Sequence, residues 1–584
     1  MAEFIAPLDT IRSQLNHVAR RHGIFGLQAF AETTDDLADA VLDEAAKFAQ
    51  RVLAPINQLG DRQGAQCAAG QVTVPKEFIE AYGQFVDNGW PALGGNPQFG
   101  GQGFPELVVA AVYEMFSAAN MAFTLCTKLT QGGIHALQSH ASEQLQQRYL
   151  EPLISGRFTS SMDLTEPSAG SDLGRVTTMA VPAGDHYFVR GRKIYITWGD
   201  HDMAENVIHL VLARTPGAAP GSRGLSLFLV PKFLPDSQGN RGQRNDMQVL
   251  SIEHKLGIHS SPTCVMSYGD HDGAIGYLVG AEGAGLSCMF TMMNQMRLGV
   301  GLQGVGIAQR AYQDSVDYAR ERVQGQIPGH GDVRIIEHGD VRRMVLTLRA
   351  LTLAARAIVL ETAAGLDIQA HGDHEEIRQK YRLYADLLTP VAKGWCTEIA
   401  QEAASLSVQV FGGMGYVEET GVAQHMRDAR ILPIYEGTNG IQALDLVARK
   451  LLKQGDATLR GIIEEIRQLS AGMPEANVLE ARRLLAGAEL LDSATSWVVK
   501  HSADDPNTVS AIAFNYLMLT GTVVGGWLIS RHAFAAMQAR EKGAESYVQT
   551  ARFYLEQIMP RAQTYAAALE SGGVSIIDFP EAMF

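Results

Sequence analysis

The hydrophobic period of this 584-residue chain changes twice, and those two changes restrict its fold more than any other feature. Up to about Gly156 apolar residues recur at helical spacing. Thr34-Asp35-Asp36-Leu37 reads as an N-cap opening an amphipathic run through Val41, Ala45, Phe48 and Val52 that ends near Pro55. A second long helix is predicted from about Pro105 to Thr124. From Phe158 to about Val279 the period shortens and turn residues multiply. Residues 186–189, 193–197, 207–212 and 225–230 then read as strands, rich in Val, Ile, Tyr and Phe. Helical spacing returns near Gly283 and lasts to the C-terminus, with helices predicted at 284–322, 338–366, 373–410, 438–453 and beyond. The expected architecture is α+β and multidomain. It comprises an N-terminal helical domain (1–157), a β-barrel or sandwich (158–280), a helical bundle (281–449) and a helical extension (450–584).

Composition removes several classes of function. A net charge of −15 argues against a nucleic-acid partner. Cys67, Cys126, Cys264, Cys288 and Cys396 are scattered, odd in number and without CxxC pairing, so reduced thiols are expected, with no metal site. The N-terminal stretch lacks a basic segment followed by an apolar core, and no apolar run reads as long enough to cross a bilayer. A cytoplasmic protein without stable membrane insertion is the expectation.

Chemistry concentrates in Ile431–Leu446, ILPIYEGTNGIQALDL. An apolar lead-in delivers one carboxylate, Glu436, then Gly437, then a helix capped by Thr438 or Asn439. Such a carboxylate is poorly hydrated, which raises its pKa and strengthens it as a base. Alone, Glu436 would be read as a first-turn acid favoured by the helix dipole. Four further stretches change that reading: the tight hydroxyl-rich turn MDLTEPSAGSD (162–172), the strand end YITWG (195–199), the basic helix end YARERVQG (318–325) and the paired glycines of QVFGGMGY (409–416). Alternation on a strand puts Tyr195 and Thr197 on one face.

In this order, together with KLGIHSSPT (255–263), these stretches resemble the acyl-CoA dehydrogenase family over roughly residues 35 to 448. The resemblance implies a four-helix bundle for 281–449 and an FAD-dependent enzyme that converts acyl-CoA thioesters to trans-2-enoyl-CoA in fatty acid β-oxidation. It assigns FAD contacts to Met162, Leu164, Thr165, Ser171, Tyr195 and Thr197, and to Arg322, Gln409, Gly412, Gly413 and Thr438. Arg322, Gln409, Gly412 and Gly413 would reach the FAD of a neighbouring subunit. Ser171, Arg297 and Gly437 would lie by the substrate, with Arg297 on the acyl-CoA side of its helix, and Glu436 would be the base. Removing a weakly acidic α-proton needs a water-excluded carboxylate, and the developing enolate oxygen needs fixed donors. The implied partners are the acyl-CoA, an electron-transfer flavoprotein as acceptor, and a second copy of the chain, most simply as a homodimer.

The chain departs from the family pattern in two places. Tyr195-Ile196-Thr197-Trp198 replaces the frequent Trp-Ile-Thr-Asn, changing the local surface. Arg322-Val323-Gln324-Gly325 lacks the Phe of Arg-x-Gln-Phe-Gly. Where some relatives carry their base, one residue before the arginine of the fourth helix, this chain has Met296. The opening FIAPL and the extension resemble the larger bacterial members, including long-chain acyl-CoA and 3-(methylthio)propanoyl-CoA dehydrogenases. Ala118, Ala119 and Ala122, with Gly132-Gly133, suggest a deep acyl cavity and medium-to-long chains, although close helix packing gives the same pattern. The alternatives are a 3-(methylthio)propanoyl-CoA dehydrogenase, an acyl-CoA oxidase and a DNA-associated alkylation-response flavoprotein.

Overall fold

The computed structural model describes residues 3–584 apart from 237, 330 and 503–505. Its internal contacts divide the chain into two compact units. One comprises Met1–Ala46, Pro105–Ala118 and Arg297–Phe584, and the other Lys47–Phe104 and Ala119–Met296.

In the second unit, five strands close into a ring. Met179–Ala183 pairs with His186–Thr197, which pairs with Ala274–Val279, then Leu225–Pro231, then Asn206–Arg214. The ring is closed by the single register pair Met179↔Arg214. Phe158–Asp163 adds a parallel strand beside Asn206–Arg214, and Thr263–Tyr268 and Met247–Ile252 extend the other side. Val189, Ile196, Val211, Phe228, Val230 and Met266 fill one buried core, so the expected barrel reading holds. The two strands predicted at 186–189 and 193–197 are one 12-residue strand. It carries a bulge against Cys264/Met266, where Tyr195 takes a left-handed φ of +59°. The bulge lies within 193–197, and Arg190-Gly191-Arg192, which parted the two predicted stretches, belongs to the same strand.

The helix predicted from Pro105 to Thr124 is two helices, Glu106–Ala119 and Met121–His140. Asn120 leaves helical geometry (φ −159°) and its side chain accepts the Phe123 N–H at 3.1 Å, so a cap replaces a continuing turn. At the other end, the first N–H groups of Glu106–Ala119 donate to the buried carboxylate of Asp367, at 2.7 and 3.0 Å.

The helical unit is organised on Gly285–Glu321, Gly339–His371 and Glu375–Phe411, close to their predicted bounds. A hairpin, Val323–Ile327 with Gly331–Arg334, interrupts what read as continuous helical spacing. The extension shares this core. Its helix Pro506–Gln538 approaches Glu375–Phe411 so closely that a Cβ on Gly521 would lie 2.2 Å from the Trp395 ring. Within that helix Asn507–Gln538 is long and apolar enough to cross a membrane, a property missed in the sequence, and 89 % of its most apolar window is buried inside the protein. Glu361 ties these elements together: buried, it accepts from His22 (2.7 Å) and Tyr384 (2.8 Å) and pairs with Arg531 of the extension. Burial alone would raise its carboxyl, but Arg531 and His22 hold it well below the ordinary carboxylate range.

Candidate active site

The loop carrying Glu436 is folded on itself before it reaches its helix. Tyr435 N–H donates to Ile431 O (3.2 Å) and Asn439 N–H to Pro433 O (3.0 Å). This closure puts Glu436 and Gly437 successively in the left-handed region, at φ +56° and +85°. For a non-glycine residue that costs roughly 1–2 kcal/mol, which the surrounding contacts must hold in place. They are identifiable: Gln442 Nε2 donates to Glu436 O (3.4 Å) and Gly437 O (3.3 Å), and Tyr435 hydroxyl donates to Gln303. Thr438 is the N-cap, accepting from Ile441 N–H at 3.3 Å, and the Asn439–Leu444 helix widens into a π-helix over Asp445–Lys453.

Glu436 is half-buried as a residue, but its Oε2 is shut off from solvent and meets no hydrogen-bond donor among the described residues. Burial pushes its carboxyl up to about 7, against the pull of Lys393 and Arg297, which favour the charged form. Its backbone N–H also meets no acceptor among the described residues. The loop therefore offers a carboxylate poised to take a proton near neutrality and, at the same residue, an N–H donor.

Arg297, expected on the acyl-CoA side of its helix, is buried and paired with Asp445 at 3.2 Å. The Asp445 carboxylate compensates a guanidinium this deep, and Arg297 also acts on Glu436. Arg322 is the first residue after its helix and is exposed, as are Gln409, Gly412 and Gly413. Gly412 ends Glu375–Phe411 at φ +61°, and a Cβ on either glycine would meet nothing within 4 Å. That leaves backbone open to a large planar or phosphorylated group. Phe411 stacks on Tyr318 at 4.1 Å, supporting this corner from below.

In the β unit, Met162 and Thr165 are half-buried, Leu164 is buried and Ser171 is exposed. Their loop hangs on a residue that sequence reasoning passed over, Glu166. Its carboxylate accepts from the N–H groups of Thr177 (2.7 Å) and Thr178 (3.0 Å), from both hydroxyls and from Lys193 Nζ (2.8 Å). Burial would raise this carboxyl, but Lys193 and the threonines bring it down to about 2. Ile196 is buried between exposed Tyr195 and half-buried Thr197, so the expected alternation holds across these three residues. Trp198, expected to alter the surface, instead turns inward at φ +54° and donates from Nε1 to Ala122 O at 3.2 Å.

The small residues expected to open an acyl cavity are buried. A Cβ on Gly132 would meet Met292 and Met296, and one on Gly133 would meet Ser160. Close packing, the other reading of that pattern, accounts for these two glycines. Lys393 and Gln442 were missed around Glu436, and Asn439, read as a possible N-cap, instead binds Lys393 and Glu398. The only sequence signal was a lone lysine in the apolar run TPVAKGWC (389–396).

Comparison with known proteins then decides the family. Residues 35–157, 161–270 and 283–452 match the N-terminal, middle and C-terminal domains of acyl-CoA dehydrogenase, and 462–580 match the acetyl-CoA dehydrogenase C-terminal like domain. The chain belongs to the acyl-CoA dehydrogenase family. It is 44 % identical over 98 % of its length to 99 % of the 3-methylmercaptopropionyl-CoA dehydrogenase of Ruegeria pomeroyi. To the broad-specificity linear acyl-CoA dehydrogenase FadE5 of Mycobacterium tuberculosis it is 32 % identical over 99 % of both chains. Its fold matches the acyl-CoA dehydrogenase of Bacillus anthracis complexed with FAD, with a TM-score of 0.75 at 20 % identity over 94 % of this chain and 90 % of that one. As a member of this family the protein is an oxidoreductase acting on acyl-CoA thioesters, with FAD as its cofactor.

Proposed function

We propose that this acyl-CoA dehydrogenase acts on a short acyl-CoA, 3-(methylthio)propanoyl-CoA, with Glu436 as its base. The observation that supports this substrate is end-to-end similarity at 44 % identity to a 3-methylmercaptopropionyl-CoA dehydrogenase. The medium-to-long-chain expectation rested on small residues of which Gly132 and Gly133 are packed against neighbours, which weakens its argument. It survives as the second reading because of the 32 % full-length similarity to a broad-specificity linear enzyme.

In this reading the Glu436 carboxylate takes the α-proton of the bound thioester. Its Oε2 meets no competing donor among the described residues, and a pKa near 7 matches the proton affinity a base needs at neutral pH. The Glu436 N–H is available to the thioester carbonyl oxygen, where negative charge develops. Gly437, at φ +85°, turns the loop beside the thioester, and Ser171 lies on the loop that Glu166 fixes. FAD, when bound, supplies the acceptor for the β-hydride, which no side chain can provide. Met162, Leu164, Thr165, Ser171, Tyr195, Thr197 and Thr438 would hold it. Exposed Arg322, Gln409, Gly412 and Gly413 would reach the FAD of a partner copy in a homodimer. An electron-transfer flavoprotein would reoxidise the enzyme. The division 1–157, 158–280, 281–449 and 450–584 belongs to the same proposal, as does a cytoplasmic location.

The test is a panel of 3-(methylthio)propanoyl-, butanoyl-, octanoyl- and hexadecanoyl-CoA, assayed with an electron-transfer flavoprotein. kcat/KM should peak at the methylthio or four-carbon chain. A maximum at eight carbons or longer would restore the medium-to-long-chain reading, and turnover sustained by oxygen alone would make the protein an oxidase.

A further inference from the structure

Lys393 sits mid-way along Glu375–Phe411 with its side chain wholly buried. An ammonium taken out of water needs a counter-charge as well as hydrogen bonds. Among the described residues its Nζ donates to one atom, Asn439 Oδ1, at 2.8 Å. That amide meets the hydrogen bond but carries no charge. Asn439 is itself clamped: its Nδ2 donates to Gly394 O (3.2 Å) and Glu398 Oε1 (2.8 Å), and its N–H to Pro433 O (3.0 Å). One asparagine thus joins the long helix to the loop that ends in Glu436, three residues earlier.

The charges around this point come from four helical elements and the Glu436 loop. Lys393 and Glu398 belong to Glu375–Phe411, and Arg297 to Gly285–Glu321. Asp445 and Arg449 follow the Glu436 loop, Tyr435 belongs to it, and Asp428 of Val422–Ala429 acts on Tyr435. Arg297 already has Asp445, and Glu398 is engaged by Asn439. The carboxylate acting most strongly on Lys393 is Glu436, ahead of Glu398. Its Oε2 is an atom without a hydrogen-bond partner among the described residues.

We propose that Lys393 is a positioning residue for the base: oriented by Asn439, its buried ammonium supplies the counter-charge against which Glu436 ionises. This rests on Glu436 being the base. Burial drives the Lys393 ammonium down to about 7 while Glu436 holds it up, so each group favours the charged form of the other. Asn439 keeps the cation near the loop without neutralising the carboxylate.

The experiment is the pH profile of kcat/KM for FAD-loaded Lys393→Met and Lys393→Arg beside wild type and Glu436→Gln. Lys393→Met should move the acid limb up by at least one pH unit, a loss of about tenfold in rate below the midpoint, with recovery toward wild type at high pH. Lys393→Arg should keep the wild-type midpoint. A uniform loss at every pH with the midpoint unmoved would overturn the proposal and leave Lys393 structural. Should Lys393→Met not fold, Asn439→Ala serves, with an upward shift of the same limb expected and an unmoved limb overturning the proposal. Infrared difference titration reads the carboxyl directly: its protonated stretch, absent in Glu436→Gln, should persist to higher pH in Lys393→Met. Near-wild-type reduction in Glu436→Gln would remove the base itself. An inactive Glu436→Gln with an unshifted Lys393→Met removes only the role of Lys393.

Discussion

Two buried carboxylates in this protein are handled in opposite ways, and the difference separates a structural acid from the proposed base. Glu166 has Lys193 and two threonines filling its lone pairs, and its carboxyl stays charged down to about pH 2. Glu436 has an oxygen with no donor among the described residues and a carboxyl pushed up to about 7. Each gives an expected outcome. Glu166→Gln strands the Lys193 ammonium and should lower stability by about 3–5 kcal/mol, read by denaturant unfolding. The double variant Glu166→Gln/Lys193→Met should recover part of that loss, because the uncompensated charge is gone. For Glu436 the folded-state pKa lies above the ordinary value near 4.5, so the fold disfavours the charged form. That penalty is absent below about pH 4.5, grows as pH rises and is complete above about pH 7, reaching about 3 kcal/mol at most. Glu436→Gln should therefore raise Tm relative to wild type at pH 8 but not at pH 4.5. A Tm difference independent of pH would contradict the assigned burial.

Glycines set how closely the long helices approach one another. Gly521 faces the Trp395 ring, Gly301 the Ala392 carbonyl and Gly306 the Ser117–Ala118 backbone. Gly521→Ala should cost about 1–3 kcal/mol by overpacking against Trp395, measured by denaturant unfolding, without changing the pH profile of kcat/KM. These contacts also explain what could be read in advance. Long segments with sustained periodicity, such as Gly285–Glu321, gave their helices nearly to the residue, and the order of the motifs gave the family. Features set by one local exception stayed hidden. Asn120 splits a helix by leaving helical geometry, Tyr195 bends a strand through a left-handed residue, and Trp198 turns inward through another. The Glu436 loop was readable because its apolar lead-in and glycine lie next to it in sequence. Lys393, 43 positions away from that carboxylate in the sequence, came near it only through the Asn439 hydrogen bond.

Over the length of the chain, the extension is part of the bundle core, held by Glu361 with Arg531 and by Trp395 against Gly521. Arg531→Met should leave Glu361 buried with its partner reduced to His22 and Tyr384, destabilising the helical unit by about 3–5 kcal/mol in denaturant unfolding. Arg322→Ala should lower FAD content while each subunit stays folded, and a fully flavinylated monomer by light scattering would exclude the shared-subunit arrangement. The proposed function joins these observations as one base working on one thioester. Anaerobic stopped-flow mixing of FAD-loaded Glu436→Gln with 3-(methylthio)propanoyl-CoA isolates that step. The substrate should still bind and perturb the flavin spectrum, while bleaching of the flavin slows by about 10²–10⁴-fold, the loss of a general base. Bleaching at a near-wild-type rate would show that Glu436 does not take the proton.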